Sequence, residues 1–169
     1  VGAPLYNNGE GREGQAYVYH GSVGGLSVTA NWTAVGSGYH TTFGHSVGTA
    51  GDVNGDGYSD IIVGGHGYDG DYTDEGKAYL YYGSPIGLAA VPAWTAEGNQ
   101  DTAYLGVSVG TAGDVNGDGH SDVIVGATRL DNGEVDEGRA FVYYGSTSGL
   151  RATADWMAEG NQYDATLGG

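Results

Sequence analysis

DVNGDGYSD at 52–60 and DVNGDGHSD at 114–122 are one acidic loop written twice, 62 residues apart. The same interval separates Glu13 from Glu75 and Glu137, and Trp32 from Trp94 and Trp156. EGQAYVYHGSVGGL (13–26), EGKAYLYYGSPIGL (75–88) and EGRAFVYYGSTSGL (137–150) align without a gap. A unit this long, filled with strand and turn residues, cannot bury its apolar face alone and must stack on copies of itself. The 35 glycines fall at fixed repeat positions, so they mark turns and bulges rather than a loose linker. Fourteen tyrosines and three tryptophans supply apolar surface that a disordered chain lacks.

Each period predicts four short strands. LGVSVGTAGDV (105–115) leads into the acidic loop, and SDVIVGAT (121–128) follows as a continuous β-branched run, the pattern of a strand buried on both faces. GRAFVYYGS (138–146) comes third, and an outer strand lies near ADWMAEG (154–160). In the third strand of the middle repeat, Ala78, Leu80 and Tyr82 share one face and Tyr79, Tyr81 and Gly83 the other, the alternation expected of a half-buried strand. Helical spacing does not extend beyond one turn anywhere. The fold class is therefore all-β: four-stranded antiparallel blades of a β-propeller, packed radially so that only short edges remain.

The blades divide as 1–42, lacking its first strand, 43–104 and 105–166, with 167–169 opening a further repeat. Three blades do not close a ring, since propellers use about 4–8. The expectation is a single propeller segment that belongs to a longer propeller or associates with copies of itself, because uncovered blade faces are sticky.

The repeat resembles the FG-GAP repeat of integrin α-subunit propellers and their bacterial relatives. Phe43-Gly44 is the opening pair, varied to Leu105-Gly106 and Leu167-Gly168. Gly2-Ala3-Pro4 is the closing triplet, varied to Gly64-Gly65-His66 and Gly126-Ala127-Thr128. The resemblance spans the whole chain. It implies a module for adhesion or protein recognition, located outside the cell or on its surface. It also implies that ligands meet loops on the face opposite the acidic ones: 36–43, 66–75, 98–105, 128–137 and 160–167. Those loops mix Tyr with Asp, a composition suited to recognising a protein or a glycan.

Within the first acidic loop, Asp52, Asn54, Asp56 and Asp60 stand at positions 1, 3, 5 and 9, Gly57 makes the sharp turn, and the Tyr58 carbonyl adds a seventh-position oxygen. The second offers Asp114, Asn116, Asp118, the carbonyl of His120, and Asp122 around Gly119. An all-oxygen set with three carboxylates is hard-ligand chemistry suited to Ca2+, with Mg2+ second because of its stricter octahedral demand. Two calcium sites are expected, both structural, with the ion cancelling like-charge repulsion in a hairpin. An EF-hand would carry Glu at position 12, where Val63 and Val125 stand, and a dockerin would continue as a helix, not as YSDIIVGG.

Other chemistry is sparse. Twenty-one acids against five bases give a formal charge of −16, which disfavours nucleic acid and anionic lipid as partners. No apolar run is long enough to insert into a membrane. Zero cysteines leave neither disulfides nor thiolate ligands. His20, His40, His45, His66 and His120 occupy unrelated repeat positions and read as scattered turn residues. Ser46 and Ser108 lack a nucleophile elbow. No enzyme is expected. The alternatives are a lectin-like propeller with inter-blade aromatic pockets and a non-catalytic accessory propeller of a secreted hydrolase. Trp32, Trp94 and Trp156 are expected to pack blade on blade.

Overall fold

The computed structural model describes residues 1–9 and 11–169, and no helix occurs among them. The first blade comprises β1 (Gly2–Ala3), β2 (Gln15–Val18), an outlying ribbon of β3 (Gly21–Ser22) with β4 (Gly25–Leu26), and β5 (Trp32–Val35). The second contains β6 (Ser46–Gly51), β7 (Asp60–Gly65), β8 (Lys77–Tyr81) and β9 (Trp94–Glu97). The third contains β10 (Leu105–Gly113), β11 (Asp122–Ala127), β12 (Arg139–Tyr143) and β13 (Trp156–Glu159). Sheet orders are β1-β2-β5, β6-β7-β8-β9 and β10-β11-β12-β13, antiparallel throughout. These are propeller blades, and the ring is open.

Main-chain contact joins one blade to the next. Gly14, Gly76 and Gly138 form parallel bridges to Phe43, Leu105 and Leu167, the opening residue of the following repeat. One residue further, glycine meets glycine. A Cβ on Gly2, Gly64 or Gly126 would overlap the carbonyl of Gly44, Gly106 or Gly168. Ser46 Oγ donates to the Gly106 carbonyl at 2.7 Å and Ser108 Oγ to that of Gly168 at 2.6 Å. The two glycine positions of the repeat signature are thus the two sides of one contact, and the serines clamp it.

Side chains fill the space that this contact leaves. Ala50, Ile62, Ala78, Leu80 and Trp94 pack against Leu105, Val123, Val125, Ala127 and Tyr143 of the third blade. Ala16 meets Phe43, Val63, Tyr79 and Tyr81 on the other side of the second blade. This corrects the half-buried reading of β8: Ala78, Tyr79, Leu80 and Tyr81 are all buried. A middle blade is covered on both faces, so alternation selects which neighbour a side chain meets rather than core or solvent.

The tryptophans close each interface at its outer rim. Trp32 lies edge-on to Tyr81 at 4.9 Å and donates through Nε1 to the Ala89 carbonyl at 2.9 Å. Trp94 repeats this with Tyr143 at 4.7 Å and the Arg151 carbonyl at 2.7 Å. Trp94 is 8% exposed, whereas Trp156, on the outward face of the third blade, is 50% exposed. Replacing Trp94 by Ala should therefore cost about 3–5 kcal/mol in chemical unfolding, and Trp156→Ala well under half of that. Gly64→Ala should destabilise as strongly as Trp94→Ala, since the obstructing atom is a carbonyl that cannot swing aside.

Candidate metal centre

Both acidic loops connect the first two strands of a blade. Each first strand ends in a bulge, at Thr49/Gly51 and Thr111/Gly113, which twists the chain out of the ladder before the turn. Gly55 and Gly57 then take φ of 75° and 89°, matched by Gly117 and Gly119 at 75° and 89°. Such left-handed steps fold the loop tightly enough to place its alternate side chains on one side.

The oxygens of Asp52 organise the first loop. Oδ1 accepts the Gly55 and Asp56 amides at 2.7 and 3.0 Å, and Oδ2 accepts that of Gly57 at 2.8 Å. Asn54 Oδ1 accepts the Asp56 amide at 3.0 Å, Asn54 Nδ2 donates to Asp56 Oδ2 at 3.0 Å, and Asp56 Oδ1 accepts the Tyr58 amide at 2.9 Å. Asp114, Asn116, Asp118 and His120 reproduce every one of these bonds. The Asp118 carboxyl is held below its ordinary pKa, first by the His120 amide and then by Asn116.

Asp60 and Asp122 behave differently from the rest of the predicted set. Both are fully buried. Asp60 Oδ2 accepts the Val53 amide at 3.0 Å and Oδ1 that of Gly83 at 2.8 Å, while Asp122 bonds Val115 and Gly145 at 2.8 and 2.9 Å. Each therefore ties its loop to the turn that follows the third strand, a task the sequence did not reveal. Burial raises Asp60 above the usual carboxylate range, the Gly83 and Val53 amides oppose this, and the charges of Asp56 and Asp52 add to it.

The donors fit a hard divalent ion by chemistry: each loop gathers carboxylate, carboxamide and carbonyl oxygens around one turn. With the side-chain oxygens turned onto the loop's own amides, no three acidic or imidazole groups among the described residues converge in a metal-holding cluster. The candidate ligands are Asp52, Asn54, Asp56, the Tyr58 carbonyl and Asp60, and their counterparts Asp114, Asn116, Asp118, the His120 carbonyl and Asp122.

The surroundings of the two loops differ. The Asp52 carbonyl accepts the Ser121 amide at 2.9 Å, and the Val53 carbonyl that of Ser146 at 3.0 Å, so the third blade buttresses the first loop. Val53 is 0% exposed where Val115, its counterpart, is 56% exposed.

The FG-GAP repeat family model matches residues 43–81 and 105–143, ending at the last residues of β8 and β12. The chain is built from FG-GAP repeats. Integrin alpha-PS2 of Drosophila melanogaster is 35% identical over 144 residues, covering 78% of this chain and 10% of that protein. Integrin alpha-6 of Homo sapiens is 34% identical over 126 residues, covering 74% of this chain and 10% of that protein. Integrin alpha-5 of Xenopus laevis is 29% identical over 153 residues, covering 85% and 14%. The chain thus spans about a tenth of the length of the curated relatives it matches.

A further set of residues stands out in these FG-GAP repeats. Glu13, Glu75 and Glu137 are almost completely buried. Glu13 accepts the Asn8 amide at 3.1 Å and Glu75 that of Asn99 at 2.9 Å, so a buried carboxylate steadies the loops at the end opposite the acidic hairpins. Their 62-residue period was the available signal. Asp60→Asn, offering one acceptor oxygen to two amides, should cost about 1–3 kcal/mol. Unfolding in chelator, where ion binding contributes nothing, measures that cost directly.

Proposed function

We propose that the chain is a calcium-binding FG-GAP propeller module for extracellular or cell-surface adhesion and recognition, with calcium structural in its hairpin loops. The observation that carries the reading is the duplication of one oxygen-rich turn, bond for bond, on two successive blades. Three carboxylates in one short loop repel one another, and an ion of charge +2 offsets that repulsion. The ion also fixes the shape of the β6–β7 and β10–β11 connections. The loop at Asp52 is the more preorganised of the two, being braced by the third blade, so it should take calcium more tightly.

Recognition falls to the opposite end, where Tyr39, Tyr72 and Tyr163 are exposed in the loops 36–43, 66–75 and 160–167. Tyrosines on loops over a rigid scaffold suit a protein partner. The integrin relatives favour the same class. As a segment of a propeller, the chain completes its ring with further blades or with copies of itself.

One observation favours a glycan-binding reading beside this. A groove of about 560 Å³ opens between the second and third blades, lined by Leu105, Leu130, Arg139, Phe141 and Tyr143 among others. One interface earlier, the first four positions carry the larger Phe43, Tyr68 and Tyr79 and the cation Lys77. A glycan array separates the two readings, since only a lectin would retain defined sugars.

Calcium should raise the melting temperature. At a calcium concentration of 100 times Kd, one site adds about 2.7 kcal/mol. Asp52→Asn should remove most of the shift, Asp114→Asn a smaller part, and the double variant all of it. An equal melting temperature in calcium and in chelator would overturn the proposal.

A further inference from the structure

Two of the five scattered histidines are brought together by folding. His45 immediately precedes β6 and His66 immediately follows β7, and their ring centroids lie 4.2 Å apart at 72°. One repeat later the same positions hold Val107 and Thr128, so the pair belongs to the second blade alone. It sits at the end of the β6–β7 hairpin away from the acidic loop, about 20 Å distant at 3.3 Å per residue.

The hydrogen bonds around Thr42 favour one tautomer of His66. Thr42 Oγ1 donates to the Thr41 carbonyl at 2.7 Å and accepts the Gly67 amide at 3.1 Å. With its proton committed, the hydroxyl meets His66 Nδ1 at 3.3 Å as an acceptor. That contact fits the tautomer with its proton on Nδ1, which leaves the ring's lone pair on Nε2. Burial, with His45 adding to it, lowers the His66 pKa to about 4, so the ring is neutral near pH 7, the form in which imidazole ligates metals. His45 is exposed, which leaves its ring free to turn towards a shared ion.

We propose that His45 and His66 form a nitrogen-donor site for a divalent transition-metal ion, chemically distinct from the oxygen-donor loops. Imidazole suits Cu2+, Ni2+ and Zn2+, whereas calcium takes oxygen. Among the described residues no third His, Cys, Asp or Glu completes a metal-holding group with the pair. Two nitrogens thus occupy part of the coordination sphere, and water or an incoming ligand takes the rest. The net charge of −16 draws cations to the chain in general, and the histidines select among them.

The test is titration of the whole chain with Cu2+ at saturating calcium, followed by calorimetry and by electron paramagnetic resonance. One tight equivalent with two coupled nitrogens is expected. His45→Gln, at an exposed position, should abolish it while leaving the metal-free melting temperature unchanged, and His66→Gln should abolish it too. His20→Gln and His120→Gln should leave it intact. Thr42→Ala, which frees the Nδ1 proton, should weaken binding by about tenfold. Uptake that survives in the His45→Gln, His66→Gln double variant, a spectrum without two nitrogens, or no uptake at all would overturn the proposal. None of these outcomes bears on the calcium loops.

Discussion

The fold depends on a close approach of main chain to main chain. In each pair of blades the first glycine of the closing triplet lies against the carbonyl of the opening glycine one repeat on, as Gly64 lies against Gly106. Any side chain at Gly64 would push the blades apart, and with them the packed surfaces of Ile62, Leu80 and Val125. The serine hydroxyl that reaches the same carbonyl fixes the separation. The apolar clusters, the rim tryptophans and the bracing of the Asp52 loop all presuppose blades held at that spacing.

The architecture was legible in the sequence because repetition compensates for weak local signals. One short strand is ambiguous by itself, whereas the same strand at a fixed interval is not. The acidic hairpins were legible because oxygen donors and glycine stood at set positions. Partner choice was less so. The strand carrying Ala78, Leu80, Tyr79 and Tyr81 read as half-buried, yet a neighbouring blade covers each of its faces. Ser46, read only as lacking a nucleophile elbow, is a clamp between blades. Asp60 looked like one more loop oxygen, and its hold on the Gly83 amide depends on a turn 23 residues away, a proximity that loop spacing cannot express. His45 and His66 escaped for the opposite reason: they share no repeat position, and only strand pairing makes them neighbours.

Each blade has a division of labour along its strands. The end carrying Asp52 or Asp114 is nearly identical in the two copies down to individual bonds, while the end carrying the tyrosine-rich loops differs between them. Glu75 at that variable end is buried and steadies the Asn99 amide, so loop sequences diverge above a fixed carboxylate post. Such an arrangement separates the part of the repeat that is held constant from the part whose sequence varies.

The glycine contact is made of backbone atoms, and the serine and tryptophan that pack beside it recur at the same repeat positions, as Ser46 and Ser108 and as Trp32, Trp94 and Trp156, so each blade carries both halves of its docking surface. A copied 62-residue stretch therefore arrives with both of its mating surfaces ready, and an array of this kind lengthens by whole units through gene duplication without waiting for compensating substitutions in its neighbours.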